Sequence, residues 1–491
     1  MRVHLVGVCG TGMGQLAMLL RDAGHEVSGS DASFDPPMGP ALEAPDQEGR
    51  RIRCLRGYDA SHVTKDLDLV VVGNAIRKDN AEAVAAIELD LRRASMSGTL
   101  RELFLQGRRP LVVCGTHGKT TTSAMCAWIL ATAKLDPGWF IGGLPKNFPS
   151  GAGIGSTRRK IVGASARPSP FVVEGDEYDA VYWKKEPKFF DYVGIGEDDV
   201  AILTSVEHDH IDIYPSREAY EEQFVALVKR MPEGGLVACD ARDAAARRIV
   251  KDHALCSTAF YALEGDDTGD VTPTWLGAMA APDPATGAQP FDLYAGGTFC
   301  GRFALEVPGA HNVRNAVGAI AAACEGFGVH IEDARKALAT FKGVRRRQDL
   351  LGRPGDVAIY DDFAHHPTAV DETLRALKSR HPGGRLWAVF EPRSATACRN
   401  LHQHAYETAF RAADRVIFAP LGRTNIPEDE RLDVAKIAQA IGDAAEAAPS
   451  VDAIVERLVK ETRAGDVVAL LSNGAFGGIH ARLLRELEAR R

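Results

Sequence analysis

The chain has 491 residues, 45% hydrophobic and 25% charged, a balance that excludes a disordered or fibrous molecule and a length that calls for about three domains. A net charge of −8 argues against a broad nucleic-acid footprint but leaves room for a local pocket that binds a small anion. Nine cysteines without a C-x-x-C pair predict packing thiols in a reducing compartment; with no signal-peptide pattern and no apolar run of spanning length, the expectation is a cytoplasmic protein without a membrane or nucleic-acid partner.

In chain order, residues 3–8 form a short apolar strand pattern, followed by a glycine cluster and a helical pattern over 13–23. Further apolar strands over 25–29 and 67–72 complete a parallel α/β opening of the Rossmann type. A strand over 110–114 then leads into a second glycine turn and a helix from Thr120 onward, which starts a second nucleotide domain. Strands are predicted over 171–174, 200–204 and 235–238 and a helix over 217–230, while 265–297 reads as irregular or hairpin-like. A third α/β layer is expected from an alanine-rich helix over 315–327 and strands over 357–360, 386–390, 416–419 and 467–471. The predicted domains are residues 1–106, 107–306 and 307–491, with no solenoid-length repeat.

The first glycine cluster, Gly7-Val8-Cys9-Gly10-Thr11-Gly12-Met13-Gly14, would let backbone N–H groups at a helix N-terminus approach a diphosphate. It is not a strict G-x-G-x-x-G, and a tight turn that binds nothing, or a nicotinamide dinucleotide with Asp31 on its ribose, are the competing readings. The second cluster, Gly115-Thr116-His117-Gly118-Lys119-Thr120-Thr121, is more specific. After a strand and opening a helix, its amides and Lys119 would cradle the β- and γ-phosphates of a nucleotide and the Thr120 hydroxyl would ligate Mg²⁺.

Two acidic segments, Glu174-Gly175-Asp176-Glu177-Tyr178-Asp179 and Glu207-His208-Asp209-His210, fall at predicted strand ends, where carboxylate and imidazole ligands could hold Mg²⁺ beside a triphosphate. Polar groups concentrate again at His311-Asn312-Val313-Arg314-Asn315, at Arg345-Arg346-Arg347 and at Asp361-Asp362-Phe363-Ala364-His365-His366; amides can read a purine edge and Arg can clamp phosphate. A His-His pair could serve zinc, but no third ligand stands at a recognisable spacing, so zinc is not expected.

Together and in this order, these segments resemble the Mur ligase family over essentially the whole chain. The resemblance implies a UDP-sugar-binding domain, a central P-loop ATPase and a C-terminal α/β domain that closes over the nucleotide and carries the incoming amine. It implies an ATP-dependent ligase: a substrate carboxylate attacks the γ-phosphate, and an amine then displaces phosphate from the acyl phosphate. Lys119 would hold the γ-phosphate, Thr120 and Glu174 one Mg²⁺ and His210 a second, with Arg347 and Asp362 coming from the closing domain and His311, Asn312 and Asn315 on the adenine side. Gly7, Gly10, Thr11, Gly12, Met13, Asp31, Asn74, Ala75 and Ile76 would receive UDP, and His365 and Arg393 the peptide.

Two features depart from the family pattern. Ser205 stands where many members have Asn, and the helix after His210, Glu221-Glu222-Gln223-Phe224-Val225-Ala226-Leu227, lacks the lysine that many members carbamoylate; Lys229 lies further along. Segments 142–148, 391–394 and 472–478 resemble the branch that joins UDP-N-acetylmuramate to the tripeptide L-alanyl-γ-D-glutamyl-meso-diaminopimelate in wall recycling. The alternative is the branch that adds L-alanine, and a remote one is a nicotinamide oxidoreductase. A monomer or weak oligomer is expected.

Overall fold

The computed structural model describes residues 1–35, 38–156, 160–162, 165–283, 286–423 and 425–490. It is an α/β protein built on three main sheets. The first is fully parallel, with Arg2–Val6 at its centre, flanked by Glu26–Asp31 and Leu69–Val72, and Arg53–Arg56 and Arg93–Ser95 at its edges. Strand order reverses on either side of Arg2–Val6, so the glycine loop that follows this strand sits at the switch point, where ligands of open α/β sheets bind.

The ten-stranded central sheet positions most of the other chemistry. Arg109–Cys114 lies between Pro170–Glu174 and Val200–Leu203, parallel to both, with Val113 opposite Glu174 and Cys114 opposite Leu203. Their carboxyl ends therefore emerge side by side. Buried on both faces, such strands read as unbroken apolar runs, which is why the sequence pattern finds them. The hairpin-like reading of 265–297 corresponds to antiparallel strands Trp275–Met279 and Gln289–Ala295, which with Thr298–Leu305 extend this sheet; residues 284–285 of that stretch lie outside the described residues.

The predicted boundary at residue 306 does not match the packing. Helix Ala310–Ala321 begins five residues before the predicted start of 315 and buries Val313, Ala316, Val317 and Ile320 against the central sheet, and helix Ile331–Ala339 joins the same core. That core runs to Val344, and the third sheet opens only at Asp349–Gly352. The apolar period of these helices is the same whichever sheet they cover, so the sequence alone could not assign them. The third sheet, with Asp349–Gly352 antiparallel at one edge, is otherwise parallel around Ala358–Asp362, Val467–Leu471 and Leu386–Phe390. Among the described residues no helix is long and apolar enough to cross a membrane, and the nine cysteines are free thiols.

Candidate active site

After Cys114 the chain turns through Gly115 and Gly118, both at positive φ (125° and 80°), into helix Lys119–Thr132. A Cβ on Gly118 would stand 2.6 Å from Asn315 Oδ1, so the phosphate loop lies directly against the helix that carries the His311–Asn315 motif. The motif occupies that helix's first turns and is not in a preceding loop; the Asn312 amide donates to Pro308 O at 2.8 Å, closing the helix start. Its neighbour His311 is held neutral by burial, its Nε2 3.0 Å from the Gln348 amide of the third domain.

Lys119 Nζ donates to Gly115 O at 2.5 Å and to Thr116 O at 3.2 Å, and is 2.9–3.0 Å from the Glu177 carboxylate. Glu177, only 1% exposed, also meets His210 Nε2 at 3.0 Å and accepts from Tyr220 Oη at 3.3 Å. Burial works against the ionised forms, but the opposed charges win. Glu177 is lowered by Lys119 and His210, and Lys119 and His210 are raised chiefly by Glu177. Glu177 thus favours the charged forms of Lys119 and His210, and they favour its own, in one largely enclosed array. In the sequence Glu177 stands in the same acidic segment as Glu174, the residue expected to hold Mg²⁺. The usable signal was its position three residues past the end of a strand adjacent to the phosphate-loop strand.

Thr120 Oγ1 donates to Glu174 at 2.8 Å, and Gly142 N–H donates to the other Glu174 oxygen at 2.6 Å. Burial pushes the Glu174 carboxyl up despite these donors, so a nearby cation would be welcome. Arg347, entering from the third domain and lying over the Phe363 ring, reaches Thr120 Oγ1 at 3.5 Å. The structure thus groups Lys119, Thr120, Glu174 and Arg347, while His210 joins through Glu177. Backbone strain concentrates here: His210, Arg346 and Gln348 have φ of 53°, 60° and 49°, conformations that persist only where surroundings enforce them.

Asp362, pushed up by burial, accepts from Gln348 N–H at 2.6 Å and Ala364 N–H at 2.7 Å and so fixes the loop that carries Arg347. His365 is kept neutral by burial, its Nε2 4.0 Å from Asp209. Arg393, 43% exposed, lies 3.3 Å from Glu391 and packs on Gly474 and Gly422. Thr116 donates to Glu207 O at 2.8 Å, His117 Nε2 is 2.8 Å from the Glu207 carboxylate, and Thr121 is buried. Ser205 Oγ accepts from His117 N–H at 3.0 Å, so this departure still contacts the loop.

Away from this site, the first glycine loop borders an open cavity of about 340 Å³ lined by Cys9, Gly10, Thr11, Asp31 and Asp35. Asp31 accepts from Cys9 N–H at 2.8 Å and from Tyr58 Oη at 3.3 Å, so it braces its own loop. Met13 and Ile76 point into the core and Asn74 and Ala75 are exposed. A Cβ on Gly7 would touch Ile76, and one on Gly12 would come within 2.7 Å of Met96 Sδ, whereas one on Gly10 meets nothing closer than 3.6 Å.

Comparison with known proteins identifies the family along the length of the chain. Residues 2–108 match the Mur ligase family catalytic domain, 113–323 the Mur ligase middle domain and 346–474 the Mur ligase glutamate ligase domain. The chain belongs to the Mur ligase family and is an ATP-dependent amide-bond ligase. Among its relatives, the UDP-N-acetylmuramate–L-alanyl-γ-D-glutamyl-meso-2,6-diaminoheptandioate ligase of Escherichia coli K12 is 37% identical over 99% of this chain and 98% of its own. A UDP-N-acetylmuramate–L-alanine ligase of Chloroflexus aggregans is 33% identical over 99% and 98%. The crystal structure of a murein peptide ligase from Psychrobacter arcticus 273-4 is similar at 33% identity and TM-score 0.71, covering 99% of both chains.

Proposed function

We propose that this ligase joins the carboxylate of UDP-N-acetylmuramate to the amino group of L-alanyl-γ-D-glutamyl-meso-diaminopimelate, with conversion of ATP to ADP and phosphate, in peptidoglycan recycling. The observation that carries the reading is the 37% identity over nearly full length to a ligase of that name, set beside the reach of Arg347 of the third domain to Thr120, the neighbour of Lys119 in the phosphate loop. The sugar carboxylate displaces ADP from the γ-phosphorus; the peptide amine then attacks the acyl carbon, loses a proton, and phosphate leaves. Lys119 steadies the γ-phosphoryl charge, and Arg347 adds a bidentate donor as the third domain closes. His365, neutral and facing Asp209, is suited to hold the peptide amine, with Arg393 for a peptide carboxylate.

Mg²⁺ suits the oxygens of Thr120 and Glu174, 2.8 Å apart, with a carboxyl raised by burial. When bound, it would neutralise charge on the transferring phosphoryl group. His210 could contribute a second ligand position by releasing Glu177. Gly10, Thr11 and the backbone around Asp31 are the proposed receivers of the UDP diphosphate, with residues 1–106 as the sugar domain and the protein a cytoplasmic monomer or weak oligomer. The test compares kcat/KM for the tripeptide and for L-alanine with the same UDP-N-acetylmuramate and Mg²⁺-ATP, following ADP release. Preference for the tripeptide is expected; preference for L-alanine would assign the chain to the biosynthetic branch, and AMP release would overturn the acyl-phosphate route.

A further inference from the structure

The His365-His366 pair has no third ligand at a readable spacing in the sequence, yet the fold brings two candidates to His366. His117 comes from the phosphate loop and Glu207 from the segment after Val200–Leu203, while His366 caps helix Pro367–Arg380 of the third domain. One ligand atom from each lies within 4.8 Å of the others. His117 Nε2 is 2.8 Å and His366 Nδ1 3.8 Å from Glu207 Oε2.

We propose that His117, Glu207 and His366 form a site for a borderline divalent metal ion such as Zn²⁺, a clasp between the phosphate loop and the third domain. Two imidazoles and one carboxylate are the ligand set of open tetrahedral zinc sites, whose donor atoms stand about 3.4 Å apart given metal–ligand distances of about 2.0–2.2 Å. The two separations to Glu207 bracket that value, and the three ligand atoms all lie within 4.8 Å of one another. The ligands are also braced from behind. Thr368 Oγ1 donates to the other Glu207 oxygen at 2.9 Å, and Thr116 Oγ1 bonds both Glu207 O and Glu207 N–H, at 2.8 and 2.9 Å; such outer partners fix ligand orientation. His366 is 4% exposed and its Nδ1 now accepts only a long, 3.4 Å bond from Thr368 N–H, leaving that lone pair cheap to redirect. Binding would use the unprotonated Nε2 of His117 and Nδ1 of His366.

The site is chemically distinct from Thr120 and Glu174, whose oxygens suit Mg²⁺. An ion held by His117 and His366 ties together two parts that must separate and close in each turnover. Zn²⁺ should therefore inhibit, a consequence that rests on the proposed ligase function while the binding itself does not. The full chain, stripped with chelator, would be titrated with Co²⁺ by visible absorption and with Zn²⁺ against a chromophoric chelator, in excess Mg²⁺. Wild type should bind one equivalent, and His366→Gln and Glu207→Gln should each weaken it at least about tenfold, with metal-free thermal unfolding of either folded variant as the control. Should one variant not fold, the other decides. No saturable binding by wild type, equal binding by the folded variants, or loss of binding in His210→Gln alone would each overturn the site. If binding behaves as expected but ADP release is not slowed by Zn²⁺, the clasp as an inhibitory device is wrong while the metal site stands.

Discussion

The chain has two glycine loops at strand ends, and they are built in opposite ways. The loop at 7–14 faces an open cavity, contains no basic side chain, and is braced by the carboxylate of Asp31. The loop at 115–121 has a partly buried lysine, held by two carbonyls and Glu177, and is backed by residues from three other elements. The first can offer an anion only backbone dipoles; the second offers a preorganised full charge in a water-poor site, where it counts for much more. The difference suggests a division of labour, binding in one loop and chemistry in the other. The comparison can be broken by substitutions that treat the two alike.

The largest effect is expected from Lys119→Ala. Loss of one preorganised donor costs at least about 10²-fold in kcat, roughly 3 kcal/mol, with little change in KM for the sugar nucleotide. Because Glu177 would be left buried with His210 as its remaining cationic neighbour, a lower melting temperature is also expected, though unfolding should remain a single transition. An unchanged kcat would mean that the second loop is no more catalytic than the first.

A contrast within the first loop comes next. Gly12→Ala would drive its new methyl against Met96 and should destabilise the chain by about 1–3 kcal/mol through overpacking. Gly10→Ala has room for its methyl, so it should leave the melting temperature alone and raise KM for UDP-N-acetylmuramate, the methyl standing where a diphosphate would approach. Equal melting temperatures for the two variants, or an unchanged KM for Gly10→Ala, would remove the argument that Gly10 is kept for a ligand and Gly12 for packing.

These contrasts also mark what could be read in advance. Long apolar strands and both glycine loops were legible because parallel strands buried on both faces and glycine turns leave local signatures. The short edge strands Arg53–Arg56 and Arg93–Ser95 were not, since their polar residues carry no such run. Which partners Glu177 and Glu207 meet was not legible for another reason: they stand 33 to 161 positions away, contacts that only the tertiary fold creates.

Acid should affect the interface between the second loop and the third domain. Burial, with His117 and His402 beside it, pushes His366 from 6.5 down to about 3, so between these values the unfolded chain binds more protons than the folded one. Stability then rises with pH and is lost as pH falls from about 6.5 toward about 3, with a slope of up to about 1.4 kcal/mol per pH unit for one proton. Glu207, held at about 2 against burial by His117 and His366, adds acid loss below its unfolded value. Asp240, raised by burial to about 7, works the other way, losing its contribution as pH rises. The difference between wild type and His366→Gln in urea unfolding across pH 4–7, with chelator present, isolates the histidine: the variant should show the shallower slope, and identical slopes would place the His366 proton outside the folding equilibrium.

The smallest effect expected is none, and it tests whether the helix that backs the second loop adds a charge of its own. The resemblance leads one to look for a carbamoylated lysine after His210. Helix Arg217–Lys229 instead presents Tyr220 toward Thr116 and Glu177, buries Phe224 in the core, and turns Gln223 back onto Ala219 O at 3.1 Å. Its one lysine, Lys229, is exposed in the last turn, where a cation favours the helix dipole and a carbamate would oppose it. A carbamate there would also lie in water, where a neighbouring charge is screened. Lys229→Ala should therefore retain wild-type kcat, and bicarbonate should not stimulate the wild type. The pair of measurements matters because each alone has an innocent cause: a slower variant could reflect a frayed helix end, and bicarbonate could act elsewhere. A severe rate loss in Lys229→Ala together with bicarbonate activation of wild type would mean that this helix rearranges to bring the lysine to the phosphate loop. In that case Glu177 would not be the main anionic partner of Lys119 during turnover.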